Sequence, residues 1–292
     1  MQIVAKGLSY TYNAKTKFPT IALNNINVAI NEGEFVGIIG HTGSGKSTFI
    51  QHIDRLIDVQ QGEFCVGEFN LSPKTKKEKK ILKKNLISLR KRVGMVFQYP
   101  EYQLFAETIF ADVAYGIKKF MPNISEQELV TLVATALYRV GLDYDEFKDK
   151  SPFELSGGQK RRVAIAGVIA TSPEVLVLDE PLAGLDPVGK KDLMNLLREL
   201  KGKVCKTIIM ISHDMDEVAE NCERVIVFDQ GGIAYDGSVK EIFTKVEELQ
   251  GLRLDCPVTA KLTKTLSDCG IELENNLTMD DFVSAVVKAV EK

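Results

Sequence analysis

Nine consecutive positions carry the first chemical signal. Gly40, His41, Thr42, Gly43, Ser44, Gly45, Lys46 and Ser47 fit the spacing G-x-x-x-x-G-K-[ST], with Thr48 following. Glycines at such positions let successive backbone N–H groups turn inward and wrap a polyphosphate. A helix starting near Lys46 would aim its positive end at the same anion. In that cradle Lys46 reaches the β- and γ-phosphates and the Ser47 hydroxyl ligates Mg²⁺. The context is the required one, because the apolar run Phe35–Ile39 precedes the glycines and an apolar helical pattern over 46–56 follows them. A glycine-rich turn with an exposed lysine would explain the spacing but not this context.

The run Val175, Leu176, Val177, Leu178 ends abruptly in Asp179 and Glu180. Burying unpartnered charge is costly, so acids at the end of an apolar strand are expected to face a ligand. Asp179 suits the Mg²⁺ shell, through Ser47 or water, and Glu180 suits a general base that orients an attacking water. Taken alone, the pair would also serve as a turn before Pro181. Two more apolar runs end in polar groups: 93–97 in Gln98, and Thr207–Ile211 in Ser212 and His213. In parallel α/β sheets the ligand lies outside the carboxyl ends of the strands. Lys46, Gln98, Asp179 with Glu180, and His213 are therefore expected to converge.

A third motif, Leu155-Ser156-Gly157-Gly158-Gln159, precedes a helical run over 160–170. It is a second exposed helix N-terminus suited to an anion. One γ-phosphate has little need of two such ends from one molecule. A head-to-tail dimer, each chain lending one end to a shared nucleotide, resolves the excess.

The elements that must hold these residues are legible as patterns. The runs Phe35–Ile39, 93–97, 175–178, Thr207–Ile211 and 225–228 are nearly continuous rather than alternating, as strands buried on both faces are. Helical stretches separate them, which predicts an α/β fold with a parallel sheet. Ile21, Leu23, Ile26, Val28 and Ile30 alternate more, as in a strand of a smaller antiparallel sheet. Residues 104–170 read as a helical insertion, most regular over 127–140. The chain changes character near 238, and a closing helix is expected after Thr278, with Phe282, Val286, Ala289 and Val290 on one face. Between Lys74 and Arg92 stand ten Lys or Arg and one Glu. Such a run reads as a solvated loop or hairpin, or as a contact for anionic lipid headgroups or a charged partner.

The 292 residues are ample for a core, and 45% are hydrophobic and 26% charged. A net charge of −3 supplies no global field for nucleic acid, so no nucleic-acid partner is expected. The apolar runs fall well short of the roughly 20 residues that cross a bilayer, and the first residues show no leader pattern. Five irregularly spaced cysteines predict buried free thiols rather than disulfides or zinc.

The combination of the phosphate loop, the Asp179-Glu180 strand and Leu155-Ser156-Gly157-Gly158-Gln159 resembles the ATP-binding cassette (ABC) family of transport ATPases over roughly residues 3–240. The resemblance implies a P-loop NTPase fold with a RecA-like parallel core, a small antiparallel subdomain, a helical signature subdomain near 104–170 and a short C-terminal extension, 241–292, as a dimer contact. It implies ATP and Mg²⁺ as ligands. Ser156, Gly157, Gly158 and Gln159 become the signature that contacts the partner's γ-phosphate. Gln98 becomes the glutamine that senses Mg²⁺ and water, Asp186 part of the D-loop, and His213 the switch histidine. Tyr12 becomes the aromatic that stacks on adenine, with Tyr10 as the alternative. Leu182 departs from the Thr that many cassettes carry after Glu-Pro.

Three stretches narrow the resemblance: the loop from Gly40, the sequence Val96-Phe97-Gln98-Tyr99-Pro100-Glu101-Tyr102-Gln103-Leu104-Phe105, and the run from Lys160 to Gly167. They are similar to the ATPases of energy-coupling factor (ECF) importers of vitamins and transition-metal ions such as cobalt, and to the second of the two paralogues. That likeness implies a second ATPase cassette as partner, a heterodimer more than a homodimer. It also implies a transmembrane coupling protein, a substrate-binding membrane protein and a place on the cytoplasmic face of the membrane.

Overall fold

The structure is a computed structural model that describes residues 1–271, 273 and 277–290. Two long antiparallel strands, β1 (Ile3–Tyr12) and β2 (Thr20–Ile30), open the chain. It then enters a second sheet through β3 (Phe35–Ile39) and helix α1 (Lys46–Ile53). Strands β4 (Gln61–Val66) and β5 (Phe69–Asn70) return to the first sheet and complete an antiparallel order β2-β1-β4-β5. This is the smaller sheet expected from the alternation around Ile21–Ile30.

Helix α2 (Lys76–Arg92) leads directly into β6 (Val93–Val96). The helical layer follows as α3 (Ile109–Phe120), α4 (Glu126–Arg139), the short α5 (Tyr144–Phe147) and α6 (Gly157–Ile169). Then come β7 (Val175–Asp179), α7 (Pro187–Lys203), β8 (Thr207–Ile211), α8 (Met215–Asn221), β9 (Arg224–Asp229) and β10 (Gly232–Ser238). The second sheet has the order β10-β9-β3-β8-β7-β6, parallel from β9 to β6 and closed at one edge by the antiparallel β9–β10 hairpin.

The near-continuous apolar strands have a direct cause. Side chains alternate faces along a strand, and both faces are covered. Leu176 and Leu178 of β7 enter a core shared with α3, α6 and α7. Val175 and Val177 enter the other core, with Phe49, Phe64 and Ile30 between the two sheets. Each such buried aliphatic side chain contributes roughly 1.5–3 kcal/mol, so neither face tolerates polar alternation.

The run 74–92 corrects one expectation: it is a helix, not a loop or hairpin. Thr75 and Glu78 form a capping box at its start. Lysine and leucine are good helix formers, and Leu82 and Leu89, seven positions apart, bury one face. Charge density pointed to a loop because it masked that two-residue apolar stripe.

The C-terminal part consists of α9 (Val239–Phe243), α10 (Val246–Gly251), α11 (Val258–Asp268) and α12 (Met279–Val290). No break in packing marks position 240, since Ile242, Phe243, Leu249, Leu254 and Ala260 belong to the same core as the central sheet. In α12 Phe282 is buried and Val286 and Ala289 are half-buried, while the Val290 side chain lies outside the described residues. No cysteine is in a disulfide; Cys205, Cys222 and Cys256 are buried as expected, whereas Cys65 is half-buried and Cys269 exposed. Among the described residues no helix is long and apolar enough to cross a membrane.

Candidate functional site

Strand order brings the polar strand ends side by side. β3, β8, β7 and β6 are consecutive neighbours, and their carboxyl ends deliver Gly40, His213, Asp179 with Glu180, and Gln98 in that sequence. Residues 166 positions apart, Lys46 and Ser212, thus reach one rim because parallel pairing aligns every carboxyl end on the same side.

The loop after β3 is built on glycine. Gly40 has φ +153° and Gly45 φ +107°. A Cβ on Gly40 would lie 2.4 Å from the Phe228 carbonyl oxygen, and one on Gly45 2.4 Å from that of Ala22. Only glycine allows that approach. Lys46 is buried, and its Nζ donates to the Gly40 carbonyl at 2.6 Å and the His41 carbonyl at 3.0 Å. Burial pulls its pKa down, against the charges of Glu180 and Asp179. Ser44 is fully buried and its hydroxyl has no partner. The His41 imidazole bridges the loop to the end of β9, with Nδ1 2.8 Å from the Thr42 carbonyl oxygen and Nε2 3.0 Å from Asp229 Oδ1. Its backbone, not its ring, belongs to the cradle.

One cavity is lined by Tyr12, Gly43, Gly45, Lys46, Ser47 and Thr48. The Tyr12 hydroxyl lies 3.3 Å from Thr48 Oγ1. The Tyr10 ring instead packs edge-on against Tyr12 and His52. Of the two aromatics, Tyr12 faces the loop and Tyr10 braces it.

At the neighbouring strand end the Glu180 carboxylate is held from two sides. Gln98 Nε2 donates to Oε2 at 2.8 Å, and His213 Nε2 is 2.9 Å from Oε1. Glu180 has φ +49°, a left-handed backbone rare outside glycine. Such strain, of order 1–3 kcal/mol, gathers at functional sites. The Asp179 carboxyl is pushed above its ordinary range by burial and drawn back down by a hydrogen bond with Ser47 and by Lys46. A serine hydroxyl and a carboxylate in contact are hard oxygen donors of the kind Mg²⁺ takes. Among the described residues no three His, Cys, Asp or Glu side chains form a metal cluster.

The signature residues lie elsewhere. Ser156 caps α6, with its Oγ accepting from Gln159 N at 3.3 Å and Gln159 Oε1 accepting from Ser156 N at 3.1 Å. Both side chains thereby accept within the cap. A Cβ on Gly157 or Gly158 would meet nothing within 4 Å, so that helix end is open. It shares a cavity with Leu185 and Gly189 at the start of α7. Asp186 caps that helix, its Oδ1 accepting from Gly189 N at 2.7 Å. The structure thus gathers Tyr12 with residues 40–48, Glu180 with Gln98 and His213, and Ser156–Gln159 with the Asp186 turn. Among the described residues no hydrogen bond joins 156–159 to 40–48.

Sequence reading missed Arg161. Only 4% exposed, it spreads its guanidinium between three elements. It donates to Glu101 Oε1 at 3.2 Å and Oε2 at 3.3 Å, to the Pro181 carbonyl at 2.9 Å and to the Ala183 carbonyl at 3.0 Å. It therefore ties the signature helix to the turn after Gln98 and to the segment after Glu180. The sequence signal was slight: Lys160, Arg161 and Arg162 are three consecutive cations, and nothing local marks which of them turns inward. Leu182, the departure noted above, is 4% exposed and packs into the core beside this tie.

Comparison with known proteins shows the family. A family profile described as ABC transporter matches residues 23–183. The chain is 49% identical over 277 residues to the energy-coupling factor transporter ATP-binding protein EcfA2 of Clostridium perfringens (strain 13 / Type A), covering 95% of this chain and 94% of that one. It is 45% identical over 292 residues to EcfA2 of Clostridioides difficile (strain 630), covering 99% and 98%. Among solved structures it resembles cbiO1 from Clostridium perfringens, described as part of the ABC transporter complex cbiONQ. The TM-score is 0.72 at 34% identity, over 90% of this chain and 98% of that one. It also resembles the ATP-binding cassette MJ0796 in a dimeric post-hydrolysis state bound to ADP and Pi. There the TM-score is 0.69 at 30% identity, over 81% and 98%.

Proposed function

Since the chain belongs to the ABC transporter family, we propose that it is the ATP-hydrolysing subunit of an ECF-type importer of vitamins or transition-metal ions. The observation that carries the reading is the Glu180 carboxylate, held between Gln98 and His213 beside a glycine loop. The backbone of residues 40–48 wraps the triphosphate, Lys46 exchanges its two carbonyl partners for phosphate oxygens, and Tyr12 stacks on adenine. Glu180 takes the proton of the attacking water as general base. Gln98 orients that water, and His213 contacts the γ-phosphate. Ser47, Asp179 and Gln98 would hold Mg²⁺, which neutralises charge on the transferring phosphoryl group.

The open end of α6 completes a site on another cassette. Ser156, Gly157, Gly158 and Gln159 meet the γ-phosphate bound by the partner, with Asp186 at the shared interface. In the cap the Ser156 and Gln159 side chains only accept, so the Ser156 hydroxyl and the Gln159 amide remain free to donate beside the glycine N–H groups. That partner is a second ABC ATPase, a paralogue in preference to a second copy of this chain, and residues 241–292 contribute to the contact. Transport requires a transmembrane coupling protein and a substrate-binding membrane protein. The chain would sit peripherally on the cytoplasmic face, coupled through Gln98–Phe105. The exposed rings of Tyr102 and Phe105 fit such a docking role.

The test is affinity capture of the tagged chain from detergent-solubilised native membranes. Co-isolation of a second cassette and a small hydrophobic protein, with ATP turnover by the complex, is expected. Capture of two identical permeases with a soluble binding protein would move the chain to another importer class.

A further inference from the structure

Helix α2 takes no part in the nucleotide chemistry. Its 17 residues carry nine Lys or Arg and one Glu, in a chain whose net charge is −3. Among the described residues, carboxylate partners exist only at its ends. Lys74, just before it, pairs with Glu63; Arg90 faces Asp54, and Arg92 reaches Glu68 and Glu174. The lysines between have none.

These lysines share a face with exposed aliphatic groups. At 100° per residue Lys77, Lys80, Ile81, Lys84 and Ile87 fall within about 120° of arc. The buried Leu82 and Leu89 lie opposite. Ile81 is 50% and Ile87 57% exposed. A helix with lysines and large aliphatic side chains on one outward face has the composition of an interfacial segment.

Its position fits. Arg90 anchors the helix end to the carbonyls of Asp54 and Arg55 at 3.3 Å, and α2 packs against α3. Tyr115 of α3 stacks edge-on with Phe105 at 5.0 Å, and both rings are exposed. Helix α2 is therefore a neighbour of the helix that carries Tyr115 of the exposed aromatic pair.

We propose that the outward face of α2 docks on anionic lipid headgroups of the membrane that holds the transport partner. Lys77, Lys80 and Lys84 meet the phosphates, and Ile81 and Ile87 enter the acyl boundary. This rests on the membrane-coupled reading above. A nucleic-acid backbone would use the cations but leave the exposed isoleucines unmatched.

The purified full-length chain is tested by co-sedimentation with vesicles of phosphatidylcholine alone and of phosphatidylcholine with equal phosphatidylglycerol. Retention is expected on the anionic vesicles only, and it weakens as salt rises. A lysine near an anionic surface adds about fivefold in partitioning. Lys77→Ala, Lys80→Ala and Lys84→Ala combined should then cost on the order of a hundredfold. Alanine favours the helix, so unchanged circular dichroism and unchanged ATP turnover are expected of that variant. Equal retention on both vesicle types, no retention on either, undiminished binding by the triple variant, or tighter binding to a short DNA duplex would each overturn the proposal. Vesicle binding needs no nucleotide, so failure of the hydrolysis reading would appear separately, as absent phosphate release.

Discussion

Glu180 Oε1 lies 2.9 Å from His213 Nε2, across the adjacent ends of β7 and β8. Thirty-three positions of sequence separate the two residues, and one step of a parallel sheet closes the gap. The same carboxylate accepts a hydrogen bond from Gln98 on the other flank. A base held from both sides is preorganised and needs little reorientation when water arrives.

Glu180→Gln keeps the shape and the contact with Gln98 but removes the proton acceptor. Turnover should fall about 10²–10⁴-fold with nucleotide affinity retained. Phosphate release by the reconstituted complex, beside fluorescent-nucleotide titration, measures both. Turnover at the native rate would remove Glu180 from the role of base.

Lys46→Ala deletes the buried cation that faces the loop carbonyls. Isothermal titration with ATP should register no binding, while the melting temperature changes little, since Lys46 satisfies carbonyls that water can replace. Retained affinity would mean that the loop does not hold phosphate.

Arg161→Met leaves Glu101 in a 17% exposed position without its cation. Breaking one side of such a pair typically costs about 3–5 kcal/mol, readable by denaturant titration. Turnover in the folded variant should also drop with KM nearly unchanged, because the tie positions the segment after Glu180 and touches no nucleotide. Unaltered stability and turnover would reduce the tie to a surface contact.

Asp54 gives a pH signature. Burial raises its carboxyl to about 7, and Arg90 at 3.8 Å offsets only part of that. From the ordinary value of 3.8 up to about 7 the folded chain holds a proton that the unfolded chain has released. Its contribution to stability is therefore full on the acid side, declines as pH rises through that window and is gone above it. Asp54→Asn removes the titration, so near about pH 8 it should be more stable than the native chain, by no more than about 4 kcal/mol and with a higher melting temperature, and the advantage should shrink steadily toward about pH 4. Parallel melting curves for both proteins across that range would contradict the assignment.

Much of the site was legible because its chemistry is local. The glycine spacing from Gly40 to Gly45 and the acids closing β7 are consecutive in sequence, and the demands that create them act over a few residues. The strands were legible for a related reason: burial on both faces leaves a continuous apolar run. Charge hid the helix over 74–92, because two buried leucines among ten cations make too weak a stripe to outweigh them. Arg161 was hidden because its partners, Glu101 and the carbonyls of Pro181 and Ala183, lie 60, 20 and 22 positions away.

What the sequence determined alone is therefore the kind of chemistry: a phosphate cradle, a strand end with two acids, and a second helix end for an anion. Which groups meet was decided by the tertiary structure. The order β3-β8-β7-β6 alone places Gln98 and His213 on opposite flanks of Glu180. Packing of the two sheets and the helical layer aims the Tyr12 hydroxyl at Thr48, turns His41 toward Asp229, and leaves Ser156–Gln159 on a face of their own. Pairing between strands distant in sequence is set by the burial of whole sheet faces, a property of no single segment, and so it exists only once the chain is folded.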